Sequence, residues 1–184
     1  MHRKKITLAF LALAVSVVTL LTQGTVAFYT TVGRATNVIT SGDIRMRIVE
    51  KMGEGEFPAE GVYIMPGSIV SKKVSVANTG DHPFWLRVKL TNGIDDETLS
   101  SDVLELDLNL RDWIKGADGF YYYGKPVQPG TETEKLFTRV KVAGKVDNAY
   151  LNKTLDLTVT AYAVQSEYNE AASPLDVLGW PAES

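Results

Sequence analysis

Pro83-Phe84-Trp85-Leu86-Arg87-Val88-Lys89-Leu90-Thr91 decides the fold class. Phe84, Leu86, Val88 and Leu90 alternate with Trp85, Arg87, Lys89 and Thr91. Successive side chains of a strand point to opposite faces, so this period of two predicts a strand with one face in a core.

The same period recurs on both sides. Upstream, Val74 and Val76 point inward in a strand expected over 70–78, with Lys72 breaking that face so that burial starts from Lys73 onward. Asn78-Thr79-Gly80-Asp81 is the turn between the two strands. Further back, Met65-Pro66-Gly67 is a turn in which Pro presets φ and Gly accepts a positive φ. Residues 61–64 form a short strand, Gly53-Glu54-Gly55-Glu56 is a break, and Ile44, Met46 and Ile48 alternate with Arg45, Arg47 and Val49.

Downstream, 92–102 is an acidic loop. Leu104, Leu106, Leu108 and Leu110 alternate with Val103, Glu105, Asp107 and Asn109, and the alternation outweighs leucine's helical preference. Residues 119–123 form a short aromatic strand, Gln128-Pro129-Gly130 repeats the Pro-Gly turn, and Leu136, Thr138, Val140 and Val142 begin another alternation. The last long strand covers 154–165, with Leu155, Leu157, Val159, Ala161 and Ala163 inward. So many one-sided strands predict an all-β, antiparallel, jelly-roll-like β-sandwich of about eight strands.

The two ends differ in kind. Residues 1–27 carry a basic tip, Arg3-Lys4-Lys5, a 16-residue apolar run at 6–21, and small residues Thr25 and Ala27. These are the parts of a cleavable signal peptide with the cut between Ala27 and Phe28. As a helix the run would be roughly 24 Å long, short of the ~30 Å hydrocarbon core an anchor must cross. Residues 28–43 form an N-terminal segment, 44–165 the sandwich domain and 166–184 a tail. In the tail, Ser173-Pro174 and Gly179 bracket a short helical turn expected to dock Leu175, Leu178 and Trp180.

Without residues 1–27 the chain has 16 Lys and Arg against 22 Asp and Glu, a net charge of −6. That balance does not suit nucleic acid or an anionic membrane surface. There is no cysteine, so an exported chain relies on its core, and no zinc-type ligand set is present. One histidine, His82, remains, in a turn and with no nucleophile elbow in the sequence. No catalytic, metal or cofactor residues are therefore assigned.

Three softer features stand beside plainer readings. Asp95, Asp96 and Glu97, with Asp102, are clustered hard ligands for calcium or a solvated acidic loop. Tyr121, Tyr122 and Tyr123, with Trp180, are a candidate binding surface for sugars; alternate members of a strand would instead be core. Arg87, Lys89, Arg139 and Lys141 would form a basic stripe on one sheet face, or simply a solvated face.

The order of motifs resembles the TasA/camelysin family of Gram-positive bacteria. The motifs are Gly24-Thr25-Val26-Ala27 followed by an aromatic and Thr/Ser-rich segment ending Thr40-Ser41-Gly42-Asp43-Ile44; Met65-Pro66-Gly67; Val74 to Asp81; Trp85-Leu86-Arg87-Val88; Gly119-Phe120-Tyr121-Tyr122-Tyr123; and Gly179-Trp180-Pro181. The resemblance implies a jelly-roll sandwich, export through a SipW-type signal peptidase, and a place in biofilm matrix or on a spore or cell surface. In fibre-forming members the segment freed by cleavage adds a strand to the next subunit. The equivalent here is 28–39, with Phe28, Thr30 and Val32 alternating as a candidate donor strand.

The expected function is thus a secreted, non-catalytic structural protein that associates with itself or with other matrix proteins. It meets the membrane only through its signal peptide. The alternatives are a monomeric surface or matrix module that binds a glycan or protein, and a metallo-endopeptidase, for which the metal ligands are missing.

Overall fold

The computed structural model describes residues 30–183 apart from positions 42, 145, 147 and 168; at 30–37 and 41 it describes the backbone. The expected signal segment, 1–27, and the expected cut between Ala27 and Phe28 lie outside the described residues. Among the described residues no helix is long and apolar enough to cross a membrane.

The strands are β1 (Thr30–Ser41), β2 (Met46–Met52), β3 (Gly55–Glu56), β4 (Val62–Ile64), β5 (Ile69–Asn78), β6 (Phe84–Ile94), β7 (Leu104–Leu106), β8 (Trp113–Lys115), β9 (Tyr121–Tyr123), β10 (Phe137–Val142) and β11 (Thr154–Gln165). They form an all-β sandwich. A six-stranded sheet runs β4-β1-β11-β6-β9-β8 and a five-stranded sheet β3-β2-β5-β10-β7. All pairings are antiparallel except β1 with β11.

The alternating residues fill the space between the sheets. Phe84, Leu86 and Val88 of β6, Val74 and Val76 of β5, and Leu157, Val159, Ala161 and Ala163 of β11 share one buried cluster. Both Pro-Gly turns close as expected. Gly67 and Gly130 have φ of +76° and +71°, and Ser68 and Thr131 donate their N–H groups to the carbonyls of Met65 and Gln128, three residues back.

Four expectations change. The run at 103–110 is a strand only over Leu104–Leu106, because the carboxylate of Asp107 leaves the ladder to cap a bulge in β10. There the register shifts between Phe137 and Arg139. Asp107 accepts from Thr138 N at 2.8 Å, Arg139 N at 2.7 Å, Thr138 Oγ1 at 2.5 Å and Arg139 Nε at 3.1 Å. Lys72 does not end the buried face of β5. Its side chain is 0% exposed and faces inward with Val74 and Val76. It can do so because Glu50, on neighbouring β2 and equally buried, lies 3.1 Å away, and the Phe57 ring lies 4.0 Å from its ammonium.

The N-terminal segment is not separate from the sandwich, since β1 occupies an interior place in the six-stranded sheet. The tail turn, a single 3-10 turn at Pro174–Asp176 capped by Ser173, buries Pro174 and Val177. Leu175 and Leu178 are instead 49% and 77% exposed. Residues three apart eclipse in a 3-10 turn, and two apolar pairs have that spacing, so the sequence pattern alone does not choose between them.

Candidate functional site: the slot of β1 and the outer aromatic face

Thr, Val and Ile dominate 30–41, a composition that favours a strand. That strand runs parallel to β11 in unbroken register, from Thr31 opposite Thr154 to Ser41 opposite Val164. On its other side β4 pairs only with the start of it, Thr30 with Ile64 through Val32 with Val62. Parallel neighbours need a crossover connection. Here the crossover is the rest of the sandwich, because β1 is the first described element and β11 the last strand. Thr30 and Val32 of the candidate donor strand therefore lie in a slot between β11 and β4 of their own chain.

The tyrosine strand is closed to solvent. Tyr121 and Tyr123 face the core, the latter 5.1 Å from the Trp113 ring. Tyr122 faces outward, but Trp180 of the tail packs edge-on against it at 5.7 Å. None of the three offers an open ring face, so they do not form a sugar platform; the alternation of the strand places them in or against packed clusters.

What the outer face does hold is Arg87. Its guanidinium carbon lies 3.9 Å from the Phe120 ring centre, 4.9 Å from Trp180 and 5.3 Å from Tyr162. It donates to the Pro181 carbonyl at 3.3 Å and stands 3.8 Å from Asp118. The Tyr122 hydroxyl donates to Asp118 at 2.6 Å. Burial pushes the Asp118 carboxyl up. The Tyr122 hydroxyl, the Phe120 amide and the charge of Arg87 outweigh it, so its pKa ends below the ordinary value. Burial and Asp118 together push the Tyr122 phenol up.

The expected basic stripe is divided. Arg87 and Lys89 lie on β6 of the six-stranded sheet, Arg139 and Lys141 on β10 of the other. Each has an acidic neighbour: Asp118, Glu183, Asp107 and Glu105 respectively. In the acidic loop, Asp96 is bound to Lys153 at 2.7 Å and accepts from Thr98, which together lower its pKa to about 2. Among the described residues no group of three or more His, Asp or Glu is placed to hold a metal ion. His82 lies 3.5 Å from Glu167.

One arrangement resembles a nucleophile with a base. The Lys135 ammonium lies 2.9 Å from the Ser75 hydroxyl, and Glu132 contacts both. Lys135 donates to Ser75 and Glu132, and Ser75 donates to Glu132, so the group ties the 131–135 loop to β5.

Sequence reading singled out Arg87 and Trp180 separately and missed their contact, along with Ile39, which packs against the cluster of Phe120, Tyr122 and Tyr162. A pairing across 94 residues, between Arg87 and Pro181, has no local signature.

The fold and the site define a β-sandwich in which the first and last described strands are neighbours. Against known proteins, no family model, no curated protein and no solved structure matches the chain.

Proposed function

We propose that this chain is an exported structural subunit in which the N-terminal strand joins one copy to the next. The place of β1 carries the reading. It is the first described strand, it is held in the slot by backbone ladders to β11 and β4, and no other described strand has to pass through it for it to leave. If a second copy's strand enters the vacated slot, the same hydrogen bonds form between chains, so the exchange has a small net cost.

Such a contact is heterologous and does not close on itself, so it propagates as a filament. The basic tip, apolar run and small-residue exit of 1–27 support export, and the cut after Ala27 would free Phe28 as the leading residue of the donor. The composition and the resemblance to exported matrix proteins agree with a structural role in matrix or at a surface.

The experiment is negative-stain microscopy with sedimentation on protein beginning at Phe28. Filaments are expected, with loss of filaments when 28–39 are removed. Monomers from both proteins would overturn the proposal.

A further inference from the structure

Two segments far apart in sequence meet on the outer face of the six-stranded sheet. From β1, Ile39 sits opposite Tyr162 in the parallel ladder and packs against the cluster formed by Phe120, Tyr122 and Tyr162. From the tail, Trp180 packs on the same cluster and covers Arg87. Arg87 and Lys89 then hold the tail's end, through the Pro181 carbonyl and the Glu183 carboxylate. A second link lies two residues further along the ladder. Ser41 ends β1 opposite Val164, and Val164 packs with Trp85 and Val177 where the tail leaves β11.

We propose that the tail, 177–183, is a latch whose closure depends on β1 filling its slot. Ile39 is one wall of the cluster whose other side receives Trp180. Removing that wall lets the Phe120 and Tyr162 rings relax, and the indole loses the surface that fixes it over Arg87. Side chains that share a packed cluster couple energetically, and coupling between two binding events is reciprocal. A filled slot favours a docked tail, and a docked tail holds the strand. The inference concerns a single chain and holds whether or not copies join. If they join as proposed above, the neighbour's Ile39 completes the cluster, and a copy with an empty slot carries an open tail and an uncovered Arg87.

The test is NMR on the chain beginning at Phe28. The Trp180 indole N–H resonance, displaced by the Tyr122 ring, reports the docked population. Ile39→Ala should raise the undocked fraction roughly fivefold, and Ile39→Val should act in the same direction but less. Reciprocally, Trp180→Ala should speed hydrogen exchange of the β1 amides at 38–41 by a similar factor while β6 keeps its protection. In the Ile39→Ala/Trp180→Ala double variant, exchange of the 38–41 amides should speed by less than the product of the two single-variant factors, both read on those same amides. A Trp180 resonance unmoved by either Ile39 variant, or factors that multiply in full, would overturn the latch.

Discussion

β11 has two neighbours, and they are held by ladders of the same length. β6 pairs with it from Phe84 opposite Gln165 to Ile94 opposite Leu155, and β1 from Thr31 opposite Thr154 to Ser41 opposite Val164. Everything else about them differs. β6 is antiparallel, its chain continues into other strands from both ends, and Phe84, Leu86 and Val88 are sealed in the core. β1 is parallel and first in order, Val38 is 46% exposed, and β4 covers only three residues of its far edge. Backbone pairing therefore does not set the two strands apart; chain connectivity and the short cover on the far edge of β1 do.

The largest expected effect is on the β6 side. Leu86→Ala should cost about 3 kcal/mol in denaturant unfolding and lower the stability of the whole domain at once, because the cavity opens in the shared core. A loss confined to β6 would break the contrast. On the β1 side, Asn37→Pro with Val38→Pro removes a ladder N–H whichever way the strand faces, since consecutive amides alternate in direction. It should weaken the strand by about 2 kcal/mol, read as faster hydrogen exchange in 39–41 with the exchange of 84–90 unchanged. Loss of protection in both would mean that β1 is as integral as β6.

A smaller change in the other sheet calibrates both. The Thr138 and Arg139 donors, working against burial, bring the Asp107 pKa from the ordinary 3.8 to about 2. A depressed carboxyl contributes stability above its unfolded pKa, and that stability is lost as pH falls from about 4 towards 2. Discounted for its partial exposure, Asp107→Asn should cost about 1–2 kcal/mol at pH 7, with the difference closing near pH 2. It should add to the double-proline effect, because the bulge belongs to β10. Smallest of all, Leu178→Ser, at an exposed site on the tail, should change stability by less than about 0.5 kcal/mol. A larger loss would show that Leu178 packs and that the inward face of the tail is misassigned.

Period-two alternation made most of the sandwich legible in the sequence, because one-sided burial leaves a local trace. Phe84 to Leu90 and Leu155 to Ala163 are the clearest examples. What stayed illegible depended on partners distant in the chain. Lys72 reads as the end of a buried face until Glu50 is placed on the next strand. Asp107 reads as one more outward residue of an alternation until the bulge at Thr138 needs an acceptor. Tyr121 to Tyr123 read as a candidate platform until β9 is set between the core and the tail. The donor-strand candidate rests on the family resemblance and on the alternation of Phe28, Thr30 and Val32, but the place of β1 beside β11 follows from the topology of the whole chain.

The most direct measurement of the central claim uses the absence of cysteine from the chain. Val38 and Ala161 are register partners, and adjacent strands bring Cα atoms within disulfide range. One preparation carries Val38→Cys and a second carries Ala161→Cys; they are mixed, left to exchange and oxidised mildly. Strand exchange between copies predicts a covalent dimer of one Val38→Cys chain with one Ala161→Cys chain. If the mixture stays monomeric while a single chain bearing both substitutions closes its own disulfide, β1 remains in its own slot and the claim is contradicted.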